Sequence, residues 1–202
     1  MIIKNKYATF VGHKFLDKFY TVVQKWTSPD APGADDVLAA TLLTTAVQTV
    51  ITSITNPDFP RALSVTGGDG NVTGNVVITG KNIRNEAVTD TIALNGSGTV
   101  DGVVAFKSVS SIQLPVYAVA DTETVAIGIT DKLGLQCIPW STTVESEHNA
   151  NAADTGGAIL TRDSDEVEKC LYNPTTECDA SDSKMISYLS EDTDAKVSAY
   201  TE

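Results

Sequence analysis

The sequence predicts a mainly β protein, an antiparallel β-sandwich of Ig-like or jelly-roll-like form preceded by an N-terminal arm, on three observations. Short runs rich in Val, Ile and Thr recur at roughly ten-residue intervals between turn clusters, the spacing of a sandwich or barrel. The composition is 42% hydrophobic and 20% charged, the profile of a folded, turn-rich chain rather than a disordered one. A chain of 202 residues buries a sizeable core without metals or disulfides. The expected organisation is an arm and linker over residues 1–34 and a sandwich over 35–202, with a polar excursion near 145–160.

In the arm, Phe15, Phe19, Val22, Val23 and Trp26 recur at spacings of three and four, which predicts an amphipathic helix. The segment Thr27 to Gly33, TSPDAPG, ends it, because its prolines lack amide donors and bias their neighbours to extended backbone. Phe15, Phe19, Tyr20 and Trp26 are the candidate interface residues. Two surfaces could receive them, a neighbouring protein or the chain's own sandwich. An arm on a Pro/Gly linker is dispensable for folding, so removing residues 1–30 is expected to leave a cooperative domain.

From Ala40 to Ile54 the late part alternates Val47, Thr49, Ile51 and Ser53 with Gln48, Val50, Thr52 and Ile54, and such a β-branched run favours strand. Asn56 to Pro60 is a turn into a strand at Ala62 to Thr66. GGDGNVTGNVVITGKN, from Gly67 on, reads as a hairpin with Gly67 to Asn71 as its turn and Asn75 to Thr79 as its return strand. A second hairpin is expected from Val88–Leu94 through Asn95–Gly98 to Val103–Phe106, followed by a strand at Val109–Leu114. Pro115 to Thr122 is a connection and Val125 to Thr130 a strand. Asp131 to Leu135 reads as a tight turn into Cys137 to Trp140. Glu145 to Gly157, ESEHNANAADTGG, is polar enough for an exposed excursion. Met185 to Leu189 and Lys196 to Tyr200 are two further strands, able to close the sheet.

Charge narrows the partners. Fourteen Lys and Arg against 26 Asp and Glu leave a net charge of -12, which repels phosphate backbones and argues against direct nucleic-acid binding. The opening MIIKNKYATFVGHKF holds no apolar run of export-signal length. The longest candidate for a membrane span, Val37 to Ile54, is interrupted by threonines, Gln48 and Ser53. Cytosolic synthesis, without a membrane, is therefore expected. Cys137, Cys170 and Cys178 have no metal-ligand spacing, and an odd number fits a disulfide framework poorly. Free thiols are the simple reading, with a Cys170–Cys178 bridge across Asn173-Pro174 as the alternative.

Residues for chemistry are sparse. A hydrolase needs a base beside a nucleophile or a carboxylate pair, and the two histidines, His13 and His148, lie in the arm and in the polar excursion. No nucleophile elbow, phosphate-binding loop or zinc motif occurs, and no cofactor is expected. Gly67 to Asn71 lacks the alternating ligands of a calcium loop. Asp163, Asp165 and Glu166, or Asp179 and Asp182, could gather round a hard cation but read as hydrated acidic loops. The sequons at Asn71 and Asn95 read as turn residues. Trp140 with Tyr117 is the one candidate pair for stacking on a glycan.

Several pieces of residues 40–140 fall in a distinctive order. They are Pro60-Arg61, the Gly67–Asn71 turn, Asp90-Thr91-Ile92-Ala93-Leu94-Asn95-Gly96, AFKSVSSIQLP and Asp131-Lys132-Leu133-Gly134-Leu135. In that order the segment resembles small β-domain structural proteins of tailed bacteriophages, such as capsid decoration and head-fibre proteins. The resemblance implies a non-catalytic, homo-oligomeric virion component whose partner is the major capsid protein or another virion protein. With the acidic charge, it implies the outer surface of the head, away from packaged DNA. A host-surface or glycan-binding module of a fibre or tail is the alternative. A glycan-cleaving enzyme would need two carboxylates across a groove.

Overall fold

The computed structural model describes residues 2–3, 20–119, 122–154 and 158–190. Their strands are β1 (Ile2–Ile3), β2 (Tyr20–Trp26), β3 (Leu38–Leu42), β4 (Gln48–Val50), β5 (Arg61–Gly67), β6 (Asn75–Lys81), β7 (Ala87–Ala93) and β8 (Thr99–Phe106). They continue as β9 (Ser108–Leu114), β10 (Thr124–Gly134), β11 (Ser146–Asn149), β12 (Ala152–Ala153), β13 (Ile159–Thr161), β14 (Leu171–Asn173) and β15 (Lys184–Ser190). One 3-10 turn, Val167–Lys169, precedes β14. All pairings are antiparallel, so the mainly β, sandwich-like class predicted from the sequence is the class observed.

The sandwich is built from a six-stranded sheet, β13-β14-β10-β5-β8 with β3 also on β10, and a four-stranded sheet, β4-β9-β6-β7. Their facing surfaces share one core, including Leu63, Val65, Val104, Phe106, Val125 and Ile127 from the first and Val76, Ile78, Ile92, Ile112 and Leu114 from the second. The period-2 pattern puts them there: Val88, Asp90 and Ile92 of β7 are buried while the residues between them are exposed.

Two expected hairpins are not hairpins. The Gly67–Gly74 segment joins β5 to β6, and Asn95–Gly98 joins β7 to β8, yet each joined pair is divided between the two sheets. The tight return lies instead between β6 and β7. There Asn82 Oδ1 accepts the amides of Arg84 and Glu86 at 2.9 and 3.0 Å. Glycine turns close chains locally without selecting the partner strand. Here both inner faces are apolar, and burying them requires the chain to change sheets.

The third sheet, β1-β2-β15-β11-β12, corrects the reading of the arm. Residues 20–26 form a strand, not a helix, and all seven pair with Ser190 to Lys184. Val22 and Trp26 are buried in a second core with Leu133, Leu135, Leu160, Tyr172, Ile186 and Tyr188. The spacing of four between them suits both periods, because positions 22, 24 and 26 also share one strand face. The 27–33 segment is bonded into the fold: Gly33 O accepts Ile129 N at 3.1 Å and Pro29 O accepts Ala180 N at 2.9 Å.

Three smaller expectations also change. The run from Ala40 to Ile54 divides into β3 and β4, with a connection between them. Residues 131–134 continue β10, with a register irregularity between Ile129 and Leu133, so the expected tight turn is strand. Cys137 to Trp140 contributes only an isolated bridge, Pro139 to Ser190. The polar excursion holds β11 and β12, and β11 pairs with β15. Lys196 to Tyr200 lies outside the described residues.

Candidate functional site

The predicted interface residues have divergent places. Phe15 and Phe19 lie outside the described residues, as does His13. Tyr20 is half-buried at the start of β2. Trp26 is 2% exposed and stacks on Tyr172, ring centroids 5.3 Å apart, so its apolar face is used within the chain.

Part of the exposed apolar surface lies where β3 leads towards β4 and β9 leaves the four-stranded sheet, apart from Val103 on β8 and Trp140. Leu42, Val47, Val116 and Val119 are 49%, 57%, 42% and 70% exposed. Hydrogen bonds hold their segments together: the Gln48 side-chain Nε2 donates to Leu42 O at 3.0 Å and Tyr117 N to Thr44 O at 3.0 Å. Glu123, itself buried, accepts the amides of Ala118 and Val119 at 2.7 and 2.8 Å. Its own carbonyl accepts Leu43 N at 2.8 Å. A buried carboxylate must be hydrogen-bonded to stay buried, and Glu123 meets that need by ordering the 115–119 connection. The rim is thus apolar and preorganised, a combination suited to docking without a large ordering cost.

Other sequence candidates resolve into structural roles. Asp163 Oδ1 accepts the amides of Asp165 and Glu166 at 2.8 and 3.0 Å, and Asp179 Oδ1 those of Ser181 and Asp182, both at 2.9 Å. These backbone donors favour the carboxylate form and hold both groups below the ordinary aspartate range. Asp69 similarly accepts Asn71 N at 2.8 Å, which makes the Gly67–Asn71 segment an aspartate-stabilised turn. Among the described residues no three His, Cys, Asp or Glu side chains converge as a metal site. Tyr117 and Trp140 do not pair: Tyr117 N is bonded beside β3, whereas Trp140 N bonds Leu189 O on the third sheet. His148 is within β11, opposite Met185.

An open depression of about 420 Å3 lies between the 32–34 segment and β10, lined among others by Pro32, Ser64, Asp101, Thr130 and Lys132. Its facing charges are paired, with Lys132 Nζ 2.9 Å from Asp101 Oδ2. The three cysteines are free and buried. Burial pushes the Cys170 thiol up to about 11 and the Cys178 thiol up to about 12.

Sequence reasoning missed the buried polar groups that order the fold. Glu147 Oε1 accepts Tyr172 Oη at 2.6 Å and Thr175 N at 2.8 Å, while Oε2 accepts Thr175 Oγ1 at 2.6 Å. Asp90 and Lys184 are buried as well. For Asp90 a signal existed, since it occupies an inward position between Val88 and Ile92. Glu147 carried none, because ESEHNA has no apolar register to mark an inner face. Set beside protein families, characterised proteins and solved structures, the chain matches none of them.

Proposed function

We propose that the protein is a structural component of a tailed-phage virion, an accessory capsid protein that decorates or stabilises the outer head surface. The observation that carries this reading is the ordered apolar rim of Leu42, Val47, Val116 and Val119 on an otherwise acidic chain. Such a patch suits burial at a subunit junction, while a net charge of -12 suits a surface turned away from packaged phosphates. The resemblance over residues 40–140 implies the same role. The partner is the major capsid protein or another virion protein, and the chain acts by binding, as many copies at symmetric positions, so that modest single-site affinity is multiplied. Synthesis in the host cytoplasm agrees with buried, free thiols.

A fibre or tail module that binds host surface or glycan is the second reading, favoured by Trp140, an aromatic 45% exposed. Co-sedimentation with DNA-filled particles lacking the protein separates the two, with immature shells and isolated tails as parallel targets. Saturable binding to mature heads, lost in a Val47→Glu, Val119→Glu variant, is the expected result. Binding to tails alone, or to no particle, overturns the decoration reading.

A further inference from the structure

Lys184 opens β15, whose inward positions are 184, 186, 188 and 190. A lysine at an inward position is unusual, and this one is 1% exposed. It stands directly opposite Trp26 on β2 and Asn149 on β11, and Asn149 shares the strand face of the buried Glu147. The Lys184 Nζ donates to Asn149 Oδ1 at 2.7 Å. The other end of the same amide, Nδ2, donates to Asp182 Oδ2 at 3.4 Å. Amine, carboxamide and carboxylate thus stand in one line, with the first largely shut off from water.

We propose that Lys184 and Asn149 condense to an isopeptide bond that staples β15 to β11. The neutral amine attacks Asn149 Cγ, the Lys184 Nζ–Cγ bond forms, and the Cγ–Nδ2 bond breaks. Donation from Nζ to Oδ1 polarises the carbonyl beforehand, and directly opposed strand positions hold amine and amide together, so little entropy remains to be lost on attack. Asp182, whose carboxylate accepts a hydrogen bond from the leaving nitrogen, takes up a proton shed by Nζ and relays it to that nitrogen. Nζ sheds two protons in all, one before attack and one after it, and both leave with the departing nitrogen as ammonium, so an alkylammonium and a carboxamide become a secondary amide and ammonium. No oxidant, metal or further reactant is required. The step exchanges a buried cation for a neutral amide, which removes a costly charge from the interior. It also closes the third sheet covalently between its central strand and the β11–β12 hairpin, whatever surface the protein occupies.

Intact-mass spectrometry of the folded, full-length protein, incubated at neutral pH, tests this. The expected mass is lower than that of the sequence by about 17 Da, one ammonia. Proteolysis then yields one branched peptide that contains both Lys184 and Asn149. Asn149→Ala and Lys184→Arg keep the full mass, with folding verified by circular dichroism. Asp182→Asn slows the loss by at least about tenfold. A wild-type protein that retains its full mass after prolonged incubation overturns the proposal. So does a loss that maps to ring closure at Asn95-Gly96, and bond formation in Asp182→Asn at the wild-type rate overturns the role of Asp182.

Discussion

Asp90 on β7 closes the side of the sandwich by bonding to β8 of the opposite sheet. Its Oδ2 accepts the amides of Val103 and Val104 at 3.0 and 3.3 Å. The amides of an edge strand are a template for unwanted pairing, and the carboxylate occupies two of them. Gly102 makes room for it: a Cβ there would lie 2.4 Å from Asp90 Oδ2 and 3.1 Å from Leu63 O.

Asp90→Ala is therefore expected to cost about 2–3 kcal/mol in urea unfolding and to raise aggregation at the β8 edge. Gly102→Ala should cost about 1–3 kcal/mol through overpacking. Because the inserted methyl meets the Asp90 carboxylate, Gly102→Ala should cost less in the Asp90→Ala background, with a coupling of at least about 0.5 kcal/mol. Strict additivity of the two changes contradicts the contact.

Trp26 tests whether β2 is integral to the fold. Trp26→Ala removes a fully packed indole and its Tyr172 stack, with an expected loss of about 3–5 kcal/mol. Deleting residues 1–30 removes the whole of β2, which pairs along the full length of β15. The deletion should abolish cooperative thermal unfolding followed by circular dichroism. Retention of a sharp transition would show that the sandwich folds without its third sheet.

Alkaline stability should reflect the buried thiols. Burial raises Cys170 from 9.0 to about 11 and Cys178 from 9.0 to about 12. The folded state thus holds protons that the unfolded chain releases, and this contribution is complete below about pH 9 and lost as pH rises towards 11 and 12. Tyr172, raised by burial and then by its bond to Glu147, acts in the same direction. The melting temperature should fall over that window, and less steeply in a Cys170→Ala, Cys178→Ala variant. Equal slopes for the two proteins contradict the assignment.

Arg61 is fully buried; its Nη1 donates to Asp30 O at 3.0 Å and lies 3.3 Å from Asp58 Oδ1. Its Nε and Nη2 have no protein partner among the described residues. Desolvation of a guanidinium with more than half its donors unused offsets most of the ion-pair gain. Arg61→Met should consequently change stability by less than about 1 kcal/mol, or raise it. Asp58→Ala, which leaves the cation unpaired, should cost about 2–4 kcal/mol in chemical denaturation.

Strand positions were legible wherever apolar residues alternate between turn residues, as at Ala62–Thr66, Asn75–Thr79 and Val109–Leu114, because both signals are local. The helix reading failed over residues 20–26 because Val22 and Trp26 share a face under either periodicity. The exposed apolar rim was illegible for a related reason. Leu42, Val47, Val116 and Val119 are far apart in sequence and look like ordinary core residues until the Thr44–Tyr117 bond brings their segments together.

The sequence by itself determined the β class, the positions of most sandwich strands and the acidic character, since these depend on near-neighbour spacing and composition. Only the tertiary structure decided that Gly67–Gly74 and Asn95–Gly98 carry the chain between sheets. The same holds for Trp26 meeting Tyr172 and for Lys184 standing against Asn149. Those relationships depend on which faces bury each other and on the register between strands distant in the chain, and neither is encoded in any short stretch of residues.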